Sequence, residues 1–421
     1  MRFIVKQAGN GRERIGVLSG FIRSPGTNIE TPTAALLTKG GSVAHLTADV
    51  LARVFTSPQL LWIPLSNAKK LEKGVKHQGE GITKFTGLYE HIACTTLHEV
   101  SEETPSGHFE SDKVPLWTRN GKEILSADGY MNVMESFKPD IILAIADSRV
   151  DMNDVPKRIS KSVFRTCNML DVCIKRLKNC DKLQDTSLIG VLVGGQNIFE
   201  RKRCIQRLLQ HKDNLSGIAL AGITAGGSAT INDSPDKIDS LLEDVCVKLP
   251  NDKLLILEGC WNPPVILTAI SHGWDVFDGS FPAKLTNCGH ALVLNLDSNQ
   301  ENREGEMSIM DLNDQRYKDD FSPVLTGCTC LTCKEHTRAY INHLLLTNEM
   351  LAPVLLAIHN LHHFDLMFKE IRKHIENKTF HSFRETIILR YNSSLKPSYQ
   401  ILKENEDQPV DSKKKKKYNI C

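Results

Sequence analysis

Three thiols stand within six residues at Cys328-Thr-Cys330-Leu-Thr-Cys333. A Cys-x-x-Cys pair in a tight turn can place two sulfurs on one tetrahedral ion, and the additional cysteine supplies a third ligand. A fourth ligand must come from elsewhere, and His336, His343, His359, His362 and His363 follow within reach. His336 is uncomfortably close along the chain. His343 and His359 lie on helical sequence that can fold back over the turn, and spacing alone does not choose between them. A Cys₃His set suits Zn²⁺ in a closed structural site with no open coordination position. Such a metal contributes folding energy and performs no chemistry. The competing reading is three reduced cysteines without metal.

Most of the twelve cysteines are scattered singly, at 94, 167, 173, 180, 204, 246, 260 and 288, and read as small buried hydrophobes. Cys421 is terminal and cannot be a prenylated C-a-a-X cysteine. The 421 residues are 41% apolar and 24% charged, with a net charge of +2. No global field points at nucleic acid, so RNA binding would need a local basic patch. No apolar run reaches the roughly 20 residues of a membrane span. The short run Phe3–Val5, followed by Lys6, Arg12 and Arg14, is no secretory signal, so a cytoplasmic placement is expected.

The elements that would position a site are short apolar runs at Ile141–Ile145, Leu188–Val193, Ile218–Ile223, Leu254–Leu257 and Val276–Phe277. Amphipathic stretches of helical length lie between and beside them, at Ser160–Lys178, Ile198–Gln210, Asp236–Lys248 and Pro263–Ser271. Continuous apolar strands alternating with helices predict a parallel sheet covered by helices, either a closed barrel or a doubly wound sheet. Neither Gly-x-Gly-x-x-Gly nor a P-loop occurs, which weakens the nucleotide-binding form. The N-terminal third yields no clear element. Residues 298–318 read as a polar loop or insertion. From Lys403 the chain turns polar and then basic at Lys413–Lys417, a run expected to be disordered at 403–421. Such a run is solvated, or makes electrostatic contact with RNA or an anionic membrane surface.

The segment from Cys328 to Phe364 resembles the zinc-binding region of the tRNA-guanine transglycosylase family. That family carries Cys-x-Cys-x₂-Cys, then 25 residues, then His, and here 25 residues separate Cys333 from His359. The resemblance therefore selects His359 as the fourth ligand. It extends over roughly residues 12 to 380 through Gly190-Val191-Leu192-Val193-Gly194-Gly195, Ala221-Gly222-Ile223-Thr224-Ala225-Gly226 and Gly273-Trp274-Asp275-Val276-Phe277-Asp278. It implies an α/β fold, a (β/α)8 TIM barrel over residues 1–400. A zinc-binding subdomain of about 319–378 is inserted near the C-terminal end. It also implies exchange of the wobble guanine of certain tRNA anticodons for queuine. One Asp attacks the ribose C1′ and a second Asp acts as general acid/base.

This sequence departs from that pattern at the chemistry. The nucleophile position is kept as Asp278, but the acid/base Asp is missing from the region placed at Phe85-Thr86-Gly87-Leu88-Tyr89-Glu90. The base-reading positions fall on Ala146 and Val193, and two phosphate-binding arginines become Lys284 and Asn287. An unpaired guanine edge costs about 1–3 kcal/mol per group. The resemblance thus points to a non-catalytic subunit with no catalytic residue expected and Asp278 vestigial. Its metal ligands would be Cys328, Cys330, Cys333 and His359, holding one structural Zn²⁺. Its partner would be a catalytic paralogue in a heterodimer, with tRNA engaged through the complex. A homodimer in the partner's absence and peripheral contact with the mitochondrial outer membrane are further expectations. The alternative is an active transglycosylase that uses Asp278 and recruits Asp147, Glu90 or Glu258 as acid/base.

Overall fold

The computed structural model describes residues 1–102, 104, 110, 112–150, 154–223, 234–297 and 307–394. Eight parallel strands form the central sheet: β1 (Thr33–Lys39), β2 (Leu60–Pro64), β3 (Ile92–Thr96), β4 (Ile141–Leu143), β5 (Ser187–Leu192), β6 (Gly217–Leu220), β7 (Leu254–Leu257) and β8 (Val276–Asp278). Neighbours in sequence are neighbours in the sheet, and β8 pairs back to β1 with Val276 opposite Thr33 and Asp278 opposite Ala35. The sheet is a closed (β/α)8 barrel. Strands β2 to β8 are buried at every residue, the pattern of strands covered by side chains on both faces.

The covering helices start and stop for local reasons. Helix Ile198–Gln210 is capped by the Asn197 side chain, which accepts from Glu200 N at 3.1 Å. Its buried face is Arg201, Cys204, Ile205 and Leu208, at i, i+3, i+4 and i+7. Helix Pro263–Ser271 is capped by Asn262, which accepts from Val265 N at 3.1 Å, and opens on a proline whose missing N–H costs nothing there. Helix Pro156–Lys178 opens on proline as well and starts four residues before its predicted beginning at Ser160.

At the N-terminal end of the barrel lies a three-stranded antiparallel sheet of Arg2–Ala8, Arg14–Ser19 and Ile29–Thr31. It sends Arg14 to Asp275. The guanidinium donates to both carboxylate oxygens at 2.9 and 2.6 Å, to Lys253 O at 2.8 Å and to Asn251 O.

The chain divides into two compact units, Met1–Phe281 with Phe368–His381, and Pro282–Met367 with Ser382–Cys421. The first holds the whole barrel. The second holds the antiparallel pair His290–Leu292 and Ile309–Asp311, helices Leu331–Glu335 and Arg338–Leu346, and the helix Leu351–Glu376 up to Met367. Its core is built from Val293, Met310, Leu312, Tyr317, Ile341, Leu344, Leu355 and Leu356. The polar run 298–318 is therefore not loop throughout. Met310 and Leu312, on either side of Asp311, are both buried in that core. Residues 298–306 of the run lie outside the described residues, as do Thr224, Ala225 and Gly226 and the tail at 403–421 with Lys413–Lys417.

Candidate metal centre and barrel mouth

Cys330 caps the five-residue helix Leu331–Glu335, its Sγ accepting from Cys333 N at 3.3 Å. The turn is fastened by Thr332, whose hydroxyl donates to Leu355 O at 2.7 Å. This brings Cys328, Cys330 and Cys333 against His359, with Nδ1 at 3.8, 3.6 and 3.3 Å from the three sulfurs. The four donor atoms all lie within 4.8 Å of one another. Sulfurs and an imidazole on one tetrahedral ion are separated by about 3.5–3.8 Å, so this set could hold a metal ion.

The outer partner of His359 decides its tautomer. Its Nε2 lies 2.9 Å from Leu292 O, which requires the proton on Nε2 and leaves the Nδ1 lone pair facing the sulfurs. Asn360, the next residue, fixes the same strand: Leu292 N donates to its Oδ1 at 2.8 Å, and its Nδ2 donates to His290 O at 2.9 Å. The other histidines are excluded by position. His343 is exposed, His336 stacks on Tyr340, His362 faces Thr329, and His363 is engaged with Leu294 O at 2.8 Å.

The barrel mouth gathers carboxylates at the C-terminal ends of the strands, where barrels of this type keep their sites. Asp278 ends β8 and is buried, its Oδ1 accepting from Ser280 N at 2.8 Å and from the Ser280 hydroxyl. Its Oδ2 has no hydrogen-bond partner among the described residues. Glu258 follows β7 and accepts from the Thr96 hydroxyl, at the end of β3, at 2.6 Å. Burial pushes both carboxyls above the ordinary range. For Asp278 the neighbouring Glu258 adds to the rise and Ser280 opposes it. The glycine after Asp278 is required, since a Cβ there would stand 2.1 Å from Ala35 O across the β8–β1 seam. Gly194 likewise lets the loop after β5 pass Arg201, whose backbone N would lie 3.0 Å from an added Cβ.

Of the residues expected to serve as a recruited acid/base, one lies away from the mouth and one is committed to two arginines. Glu90 is exposed in a turn just before β3, at the opposite end of that strand from Thr96. The segment Phe85–Glu90 is therefore misplaced as the region facing Asp278. Asp147 lies beyond the end of β4. Its carboxylate is clamped by Arg158 at 2.7 Å to each oxygen and by Arg165, both on the helix Pro156–Lys178. Glu258 is the one that faces the mouth. Ala146 and Val193 are both buried apolar positions, Lys284 is half-buried and Asn287 is exposed. The Thr96–Glu258 pair was not singled out from sequence, because Thr95-Thr96 does not read as the end of a buried strand.

The orphan Oδ2 makes a pH-dependent prediction. A carboxyl raised by folding is uncharged in both states at low pH; stability is lost as pH rises above the unfolded value of about 3.9, the loss growing up to the folded value and persisting in full above it. Asp278→Asn keeps the acceptor used by Ser280 and removes the charge. It is expected to raise the thermal midpoint by about 2 °C or more near neutral pH, with the gain vanishing toward about pH 4. Thermal unfolding of both proteins at the two pH values measures this, and equal midpoints near neutrality would contradict it.

A (β/α)8 barrel with an Asp at the end of β8, in a chain that also carries a Cys₃His cluster, defines a class. The model of the family described as queuine tRNA-ribosyltransferase matches residues 10–393, and the chain belongs to that family. Within it, the chain is similar to proteins named queuine tRNA-ribosyltransferase accessory subunit 2. That of Culex quinquefasciatus is 34% identical over 381 residues, 90% of this chain and 89% of the relative. Those of Aedes aegypti and Drosophila melanogaster are each 32% identical, covering 90% and 95% of both chains.

Proposed function

We propose that this chain is the non-catalytic accessory subunit of a heterodimeric queuine tRNA-ribosyltransferase, supporting exchange of the wobble guanine for queuine in tRNA anticodons. The observation that carries this reading is the near full-length match to relatives named accessory subunit 2. The mouth agrees with it. Among the described residues Asp278 is held by Ser280, burial favours its uncharged form, and a carboxyl must be ionised to attack. From the end of β3 it is Thr96 that reaches into the mouth, on Glu258, and its hydroxyl is no general acid at neutral pH.

In this reading the Cys₃His set holds one structural Zn²⁺, the ion favoured by three soft thiolates and an imidazole. Zinc bound there fastens the turn 328–333 to the long helix and takes no part in exchange. The same unit exposes Phe321 and Met350 at 76% and 86%. Large apolar side chains this bare suit a partner surface, and the catalytic queuine tRNA-ribosyltransferase subunit is the partner that the reading assigns. A homodimer would use the same surface when that subunit is absent. Placement is cytoplasmic with peripheral contact at the mitochondrial outer membrane, which release by alkaline carbonate would test.

A labelled-guanine or queuine exchange assay on tRNA distinguishes this from the alternative, in which Asp278 attacks and Glu258 is the acid/base. The chain alone and the catalytic subunit alone are expected to be inactive, and the mixture active. Asp278→Ala in this chain should change the mixture's rate by less than about 2-fold, since an interaction absent from the transition state leaves kcat unaltered. Exchange by this chain alone, abolished by Asp278→Ala, would establish the alternative.

A further inference from the structure

A concavity of about 380 Å³ opens beside the mouth, between residues 65–73, which leave the end of β2, and the hairpin 113–126, inserted after β3. Four cations line it, Lys69, Lys70, Lys73 and Arg119, against two carboxylates, Glu72 and Glu123. The carboxylates are spent on one cation: Lys69 Nζ lies 3.0 Å from Glu123 and 3.8 Å from Glu72. Lys70, Lys73 and Arg119 are exposed and form no ion pair among the described residues. In a chain with net charge +2, three unpaired cations around one hollow make a local positive field.

The floor is ordered. Asn67 donates to Thr38 O at 3.2 Å and to Glu99 Oε2 at 3.0 Å, and accepts from Gly40 N at 3.1 Å, which ties the cavity wall to the ends of β1 and β3. No aromatic or large apolar side chain lines the hollow. A free nucleotide or a planar small molecule would find nothing to stack on. A flat membrane surface would engage convex cations and apolar side chains, not a polar hollow. Free cations round a polar concavity suit a phosphodiester that protrudes into it, read by charge and not by base.

We propose that this cavity, through Lys70, Lys73 and Arg119, binds the phosphodiester backbone of RNA and gives the accessory subunit its own contact with the tRNA. The proposal rests on the reading of the chain as a subunit of a tRNA-modifying complex, and places the contact on the face of the barrel that carries the mouth.

The test uses the assembled complex of this chain with the catalytic subunit. One variant carries Lys70→Ala, Lys73→Ala and Arg119→Ala. A control removes the same charge at the other end of the barrel, at Lys178, Lys182 and Lys212. Affinity for tRNA is measured across salt concentration. The cavity variant is expected to flatten the slope of log K against log salt by about 2 to 3 and to weaken binding about 10-fold or more at low salt. KM for tRNA should rise with kcat unchanged, and the control and a Lys70→Arg/Lys73→Arg variant should match the wild type. An unchanged slope in a variant that still co-purifies and still restores exchange overturns the cavity and leaves the subunit reading intact. Failure of the wild-type chain to add activity to the catalytic subunit overturns the subunit reading instead. Loss of binding to phosphatidylserine vesicles with the tRNA slope unchanged would assign the cavity to a membrane and also overturn the proposal.

Discussion

Replacing Cys330 with serine, or stripping the metal with a chelator, is expected to unfold the Pro282–Met367 region at a temperature where the barrel is still folded. The helix Leu331–Glu335 has five residues, far below the roughly 12 that an isolated helix needs to persist. What holds it is the convergence of three sulfurs on His359 and the single bond from Thr332 to Leu355 O. Structural zinc contributes about 10–16 kcal/mol in small peptides that have no other core. Here the core around Met310, Tyr317, Ile341 and Leu356 shares the work. A loss of about 5 kcal/mol is the expected scale. Calorimetry should resolve one transition into two, and elemental analysis should find about one zinc per chain in the wild type and none in the variant. Co-purification with the catalytic subunit should fail along with it. A metal-free wild-type chain with unaltered melting would refute the structural role, and a complex that survives loss of the metal would separate the interface from it.

Much of the barrel was legible from residues 141 onward. Strands β4 to β8 are short runs of Ile, Leu and Val bounded by polar text, and helices such as Ile198–Gln210 and Pro263–Ser271 announce themselves by an Asn cap or an opening proline. The first three strands were not picked out, and for β3 the reason is its composition. Strand β3 is Ile-Ala-Cys-Thr-Thr, and its threonines are buried only because Thr95 meets Met134 and Ile141 O while Thr96 meets Glu258. Those partners come from 39, 46 and 162 residues away. With β3 unseen, Phe85–Glu90 was set at the mouth when it precedes the strand, an error that exchanges one end of the barrel for the other. The metal centre shows the same division. Three ligands are adjacent in sequence and were found from spacing. The fourth could not be separated from its neighbours by spacing, because the choice is made by Leu292 O, 67 residues earlier. Family resemblance reached His359 where local chemistry stopped.

The other large effect is expected where no local signal exists at all, at the pair Arg14 and Asp275, 261 residues apart. Both are buried, and the pair sits where β8 begins: Thr33 N donates to Asp275 O at 3.0 Å, while Leu255 N donates to its carboxylate at 2.8 Å. Through its carbonyl and its carboxylate, one residue thus ties β7, β8 and β1 to the N-terminal sheet. Burial pushes the Asp275 carboxyl above its ordinary range in spite of the opposing pull of Arg14. Desolvation therefore outweighs attraction, as it commonly does for buried ion pairs. Arg14→Ala leaves the carboxylate buried without its cation and should cost about 3–5 kcal/mol near neutral pH. The sign of the pH dependence follows. Without Arg14 the folded-state carboxyl rises further, so stability is kept below the unfolded value of about 3.9 and lost as pH climbs toward the folded value. The deficit of Arg14→Ala relative to wild type should consequently shrink as pH falls from about 8 to about 5. Arg14→Met with Asp275→Leu removes the stranded charge and should lose less than the single variant, since an apolar pair of similar volume has no charge to desolvate. Urea unfolding of the three proteins at both pH values measures all of this. A single variant whose deficit is constant with pH would mean that Asp275 keeps its charge by another route, and that the seam between β8 and β1 is held by backbone pairing alone.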